Sequence, residues 1–90
     1  MTRQGIDQKE LFTLLVTQLH TSAAMQLGLS PNPVTRRTEK NLEAATMTIG
    51  ILEALLFKTA GNLNRKEDEV LSRAVRELRT QLQKETRKPL

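Results

Sequence analysis

The chain is predicted to be all-α: three helices at about 8–27, 39–60 and 65–85, arranged as a helical hairpin or three-helix bundle and completed by contacts with further copies or a partner. Three observations carry that expectation. Apolar residues recur with a 3.6-residue period in three separate stretches, and each stretch is bounded by residues that cap helices. No run alternates apolar and polar residues convincingly enough for a strand. The sharpest boundary is Lys58-Thr59-Ala60-Gly61-Asn62-Leu63-Asn64, which ends one helix and begins the next. Gly61 can take the left-handed conformation without a Cβ penalty, and Leu63 is the apolar residue that seals such a stop. Asn64 offers its side-chain oxygen to the first free amides of the following helix, and Glu67, three residues on, completes a capping box.

The first helix is expected to start after Asp7, whose carboxylate can cap while Glu10 reaches back. Leu11, Phe12, Leu15, Val16, Leu19, Ala23 and Leu27 project onto one broad face, with Leu14 and Met25 off it and close to one another. Gly28 is the natural stop. Leu29-Ser30-Pro31-Asn32-Pro33-Val34 then holds two prolines that make it an extended, stiff connector.

The second helix is expected to begin near Thr38 or slightly before and to run to Ala60. Leu42, Ala45, Ile49, Leu52 and Leu56 form one apolar stripe, and Ala44, Met47, Ile51 and Leu55 form a second on roughly the opposite side. Only a narrow strip with Glu43, Thr46 and Glu53 is left for water, the pattern of a helix covered nearly all round. Gly50 in its middle costs about 1 kcal/mol relative to Ala, so it is either tolerated drift or the mark of another backbone's close approach. The third helix, from Arg65 to about Glu85, presents Leu71, Ala74, Val75, Leu78 and Leu82 inward and Lys66, Arg73, Arg76, Arg79, Lys84 and Arg87 outward. Its first turn holds Glu67, Asp68 and Glu69, where the helix dipole favours negative charge.

Ninety residues bound the chain to a single helical domain spanning 1–90, with short flexible ends expected at 1–6 and 86–90. Phe12 and Phe57 are the only aromatics, so aliphatic residues build the core. A core of that kind rarely supplies more than roughly 3–5 kcal/mol in so small a chain, which makes association an attractive supplement. There is no cysteine, which excludes disulfides and thiolate metal sites and fits a reducing cytosol. No signal peptide is visible, and the densest apolar stretches are too short to cross a membrane, so a cytoplasmic protein without membrane insertion is expected. The net charge of +4 is concentrated in the connector and the last third. That balance is mild for a nucleic-acid binder, though it would help one.

With the helices placed, the chain resembles a small bacterial family of uncharacterised proteins, the domain of unknown function 1844. The resemblance covers about residues 10–80. It rests on Leu11-Phe12-Thr13-Leu14-Leu15-Val16, Leu27-Gly28-Leu29-Ser30-Pro31-Asn32-Pro33, Asn41-Leu42-Glu43-Ala44-Ala45 and Ile49-Gly50-Ile51-Leu52-Glu53-Ala54-Leu55. It continues through Lys58 to Asn64, then Glu67 and Glu77-Leu78-Arg79. The chain departs from the family pattern at Asn41 and Gly50, where an Asp is expected, and at Thr35-Arg36-Arg37, where a Gly-Glu pair is expected. The resemblance implies a helical fold and a bacterial cytoplasmic setting, and no chemistry.

No catalytic residues, cofactor or metal are expected. His20, the sole histidine, lacks the companions that a general base or a zinc site needs, and reads as a half-buried residue at a helix edge. Glu67, Asp68 and Glu69 point in different directions on a helix and already have a dipole role. Ser22, Ser30 and Ser72 lie in no nucleophile motif, and no phosphate-binding glycine loop is present. Two functions from different classes remain. The first is a non-enzymatic protein–protein interaction or assembly module, a homo-oligomer or a subunit of a larger assembly, with an interface formed by Leu14, Met25, Ala44, Met47, Ile51 and Leu55. The alternative is a nucleic-acid-associated protein contacting DNA backbone or ribosomal RNA through Arg36, Arg37, Lys66, Arg73, Arg76, Arg79, Lys84 and Arg87. A solvated face is the simpler account of those cations, and no stacking aromatics accompany them. Of the two functions only the interaction module explains the apolar second stripe. The competing account is that the first and third helices clasp the second from both sides and hide both stripes within one chain.

Overall fold

A computed structural model of the protein describes residues 7–87. Within that range three helices, α1 (Gln8–Gln26), α2 (Leu42–Lys58) and α3 (Arg65–Arg87), pack pairwise against one another as a three-helix bundle, and no described residue is in a strand. Residues 1–6, expected to form one loose end, and 88–90 of the other lie outside the described residues, while Thr86 and Arg87 belong to α3.

Each helix begins on a side-chain cap. Asp7 Oδ1 accepts from the Glu10 N–H at 3.0 Å, and Asn41 Oδ1 accepts from the Ala44 N–H at 3.0 Å. At α3 the box is reciprocal: Asn64 Oδ1 accepts from the Glu67 N–H at 2.8 Å, and Glu67 Oε1 accepts from the Asn64 N–H at 2.9 Å. The end of α1 is a Schellman stop, in which Gly28 takes φ 81° while the Gly28 and Leu29 N–H groups donate to the Met25 and Ala24 carbonyls at 3.0 and 2.9 Å. Gly61 takes φ 86° in the turn between α2 and α3, closed by the Asn62 N–H donating to the Thr59 carbonyl at 2.8 Å. Leu63 packs against the core and seals that turn.

The second helix begins at Leu42, three residues later than the 39–60 expectation, and ends at Lys58 rather than Ala60. Two cap candidates competed at its start. Thr38 has Asn41 three residues on, which cannot close a capping box, whereas Asn41 is itself a stronger cap than threonine. Asn41 is also pinned to the end of α1, because its N–H donates to the Gln26 carbonyl at 2.7 Å. The residues before it form the connector. There Asn32 Oδ1 accepts from the Val34 N–H at 2.8 Å, and Arg36 takes φ 62°, a left-handed value that no helix includes.

The core consists of Val16, Ala23 and Leu27 of the first segment, Ala45, Ile49 and Leu52 of α2, and Leu71, Ala74 and Leu78 of α3. Phe12, Leu19, Leu42, Leu55, Leu56, Val70, Val75 and Leu82 pack around it half-buried. Two residues expected on the inner face of α1 are outside it: Leu11 and Leu15 are 47% and 41% exposed. The apolar arc of α1 is broader than the strip two neighbouring helices can cover, so its edge stays in water.

Polar pairs fix the bundle's register. The Thr48 hydroxyl on α2 lies 2.7 Å from Gln26 Oε1 on α1 and 3.1 Å from the Ala44 carbonyl, so a buried hydroxyl is satisfied at the α1–α2 seam. Arg79 on α3 is ion-paired with Glu53 on α2. Lys40 lays its stem against Gly28, close enough that a Cβ there would come within 3.3 Å of Lys40 Cε, and its ammonium pairs with the largely buried Glu85 near the end of α3. The connector is thereby tied to both α1 and α3.

Candidate interaction surface

These pairs orient α2. Thr48 turns one flank of the helix toward α1, and Glu53 turns the other toward α3. At 100° per residue, the arc left outward contains Glu43, Met47, Gly50, Ala54 and Phe57, with Ile51 and Lys58 on its α1-side shoulder. Met47 is 69% exposed, Phe57 81% and Ile51 44%. An open, largely apolar groove runs along this arc, lined by Glu43, Thr46, Met47, Gly50, Ile51 and Ala54. A Cβ built on Gly50 meets nothing within 4 Å, so no other described part of the chain approaches there. Isolated apolar side chains on a surface need no explanation, but a continuous apolar helix face does.

The six residues expected to form the interface divide. Met47, Ile51 and Leu14 are exposed, Leu14 by 50%. Ala44, Met25 and Leu55 are half-buried; Ala44 and Met25 line one shallow groove at the α1–α2 seam, and Leu55 packs against the core. The expected polar strip also splits. Glu53 is engaged with Arg79, whereas Glu43 and Thr46 border the apolar groove. Sequence reasoning passed over Phe57 and Ala54, although Met47, Gly50, Ala54 and Phe57 follow a 3-4-3 spacing that marks one helical line. The broad apolar face expected for α1 also included Leu11 and Leu15. On α1, Thr17 and His20 line a groove with Val70 and Arg73 of α3, which leaves the Leu11–Leu15 edge on the flank toward α2.

The cations named as a nucleic-acid contact are all exposed: Arg36 and Arg37 on the connector, and Lys66, Arg73, Arg76, Arg79, Lys84 and Arg87 on α3. The Lys40–Glu85 pair places the connector beside the last turns of α3, so Arg36 and Arg37 share one end of the bundle with Lys84 and Arg87. The rest of the arc is mixed, because Arg79 is engaged with Glu53, and Glu69 and Glu77 lie among the arginines. His20 is half-buried and lines shallow grooves with Arg73, Arg76 and Glu77. Among the described residues no group of three or more His, Cys, Asp or Glu is placed to hold a metal ion, and no helix is long and apolar enough to cross a membrane.

Neither the curated proteins nor the solved structures contain a match to this chain. The domain of unknown function DUF1844 matches it over residues 9–84, and the chain belongs to that family.

Proposed function

We propose that this protein is a non-catalytic interaction module, whose surface for another protein is the outward face of α2 continued onto the exposed leucine edge of α1. The observation that carries the proposal is the exposure of Met47, Ile51 and Phe57 along one helix, in a bundle that also leaves Leu11, Leu14 and Leu15 of α1 exposed. Leaving such side chains wet forgoes about 25 cal/mol for every Å² of apolar surface that a partner could cover. Nothing in the bundle itself needs that face, since the nine-residue core closes without it. The proposal places the module in a bacterial cytoplasm, a setting that the cysteine-free composition suits.

The test is the mass of the purified chain by light scattering, together with recovery of stoichiometric companions after mild lysis, for wild type and Ile51→Glu. Wild type is expected to associate with itself or with a companion, and Ile51→Glu to release it. A wild type that stays monomeric and brings down no stoichiometric protein overturns the proposal. The cations that Arg36, Arg37, Lys84 and Arg87 gather at one end of the bundle support a second reading, contact with a nucleic-acid backbone. Its mark is copurifying nucleic acid that salt removes, lost on reversal of those charges and indifferent to Ile51→Glu.

A further inference from the structure

We infer that the partner for the α2 face is a second copy of this chain, paired antiparallel through α2 about a two-fold axis passing between Gly50 and Ile51. The inference rests on the interaction reading above and names its occupant. A helix rises about 1.5 Å per residue, so an axis at that point places residues equally distant from it on opposite strands of the pair level with one another. Gly50 of one copy then lies level with Ile51 of the other, and Met47 with Ala54. Glu43 and Lys58, each about 11 Å from the axis, also lie level, and the two-fold makes that pairing twice.

Size and charge are complementary under this one operation. The exposed Met47 meets a single methyl, that of Ala54, and the open space above Gly50 at the centre leaves room for the two helices to approach. Small residues opposite large ones let two helices approach and interlock. A parallel pairing about the same face would set Met47 on Met47 and Gly50 on Gly50, leaving a collision beside a void. It would also set Glu43 on Glu43 and Lys58 on Lys58, two like-charge contacts. The face carries one acid and one base at its ends and so has no net charge to repel its own copy. The basic arc of α3 lies on another side of the bundle, held away by the packing of α3 against the Glu53 flank.

The experiment is sedimentation equilibrium of the intact chain from low micromolar to near-millimolar concentration. Wild type is expected to reach twice its 10.2 kDa mass. Met47→Glu is expected to abolish the dimer. Glu43→Lys and Lys58→Glu are each expected to weaken it roughly tenfold, and the double reversal to restore it. These side chains lie outside the core, and an unchanged far-ultraviolet circular dichroism spectrum verifies the fold of each variant. Because the chain has no cysteine, register is read by oxidative crosslinking: Met47→Cys and Ala54→Cys chains are expected to crosslink when mixed and neither alone. A wild type that stays monomeric throughout overturns self-pairing; if Ile51→Glu still releases a captured companion, the interaction reading survives without it. Charge reversals that fail to rescue one another, or homotypic crosslinking through Met47→Cys, overturn the antiparallel register.

Discussion

Along the outward arc of α3, Lys66, Arg73 and Arg76 alternate with Glu69 and Glu77, while along that of α2 Met47, Gly50, Ile51, Ala54 and Phe57 follow one another. Both helices contribute equally to the core, three residues each, and both are tied by the same Glu53–Arg79 pair. Their inner faces obey one rule, because the core needs a single stripe of aliphatic side chains from each. Their outer faces differ in composition. Long charged residues dominate the outer face of α3, as they do where a helix meets water, whereas apolar residues continue along the outer face of α2. The contrast teaches that total helix hydrophobicity is not a measure of how much a helix contributes to its own bundle.

The largest expected effect separates the two sides of α2 itself. Leu52 is fully buried, so Leu52→Ala is expected to cost about 2–5 kcal/mol, whereas Met47→Ala is expected to change the stability of the dilute chain by less than about 0.5 kcal/mol. Urea denaturation at low protein concentration reads both. Equal losses would mean that the outer face also supports the monomer.

The turn into α3 comes next. Gly61 has φ 86°, and Gly61→Ala is expected to lower stability by on the order of 1 kcal/mol or more, because a Cβ is strained there whatever the space around it. Asn64→Ala is expected to cost about 1 kcal/mol through loss of the box with Glu67. Unshifted denaturation midpoints in both variants would remove the turn as a determinant of the α2–α3 packing.

Gly50→Ala carries the opposite sign. Inside a helix and with open space at its Cβ position, it is expected to stabilise the dilute chain by about 0.5–1 kcal/mol. A thermal melt that falls instead would show something already seated on that face. The smallest effects belong to α3. Arg76→Ala is expected to lie within about 0.5 kcal/mol and Arg79→Ala below about 1 kcal/mol, since the pair with Glu53 is half exposed. A larger loss at Arg76, measured in the same denaturation series, would make the charged arc structural and erase the contrast with α2.

Much of the fold was legible because its signals are local. Asp7 and the Asn64–Glu67 box act over three residues, Gly28 and Gly61 answer to their own φ, and the 3.6-residue period of α3 names Leu71, Ala74 and Leu78 directly. The start of α2 was read too early for a reason that is not local. Asn41 caps the helix while its backbone donates to Gln26, and Lys40 just before it is held against Gly28 and by Glu85, which lie far from it in sequence. The candidate surface was legible in part. Met47, Ile51 and Leu14 stand out because they break the single-stripe pattern, whereas Ala54 and Phe57 do not, because their exposure depends on which flanks of α2 the neighbouring helices cover.

By itself the sequence determined three helices, their caps, the two left-handed glycines and a second helix with more apolar surface than one side can hide, because each of these follows from the chemistry of residues within a turn or two of one another. Tertiary structure decided which apolar residues are inside. Leu11 and Leu15 carry the same side chain as Leu19, which packs on the core, and only the angles at which α2 and α3 meet α1 separate them. It also sorted the polar strip of α2, sending Glu53 to Arg79 and leaving Glu43 beside Met47. Burial is set by what a neighbouring helix covers, and the position of a neighbour is a sum over contacts that no single stretch of chain contains.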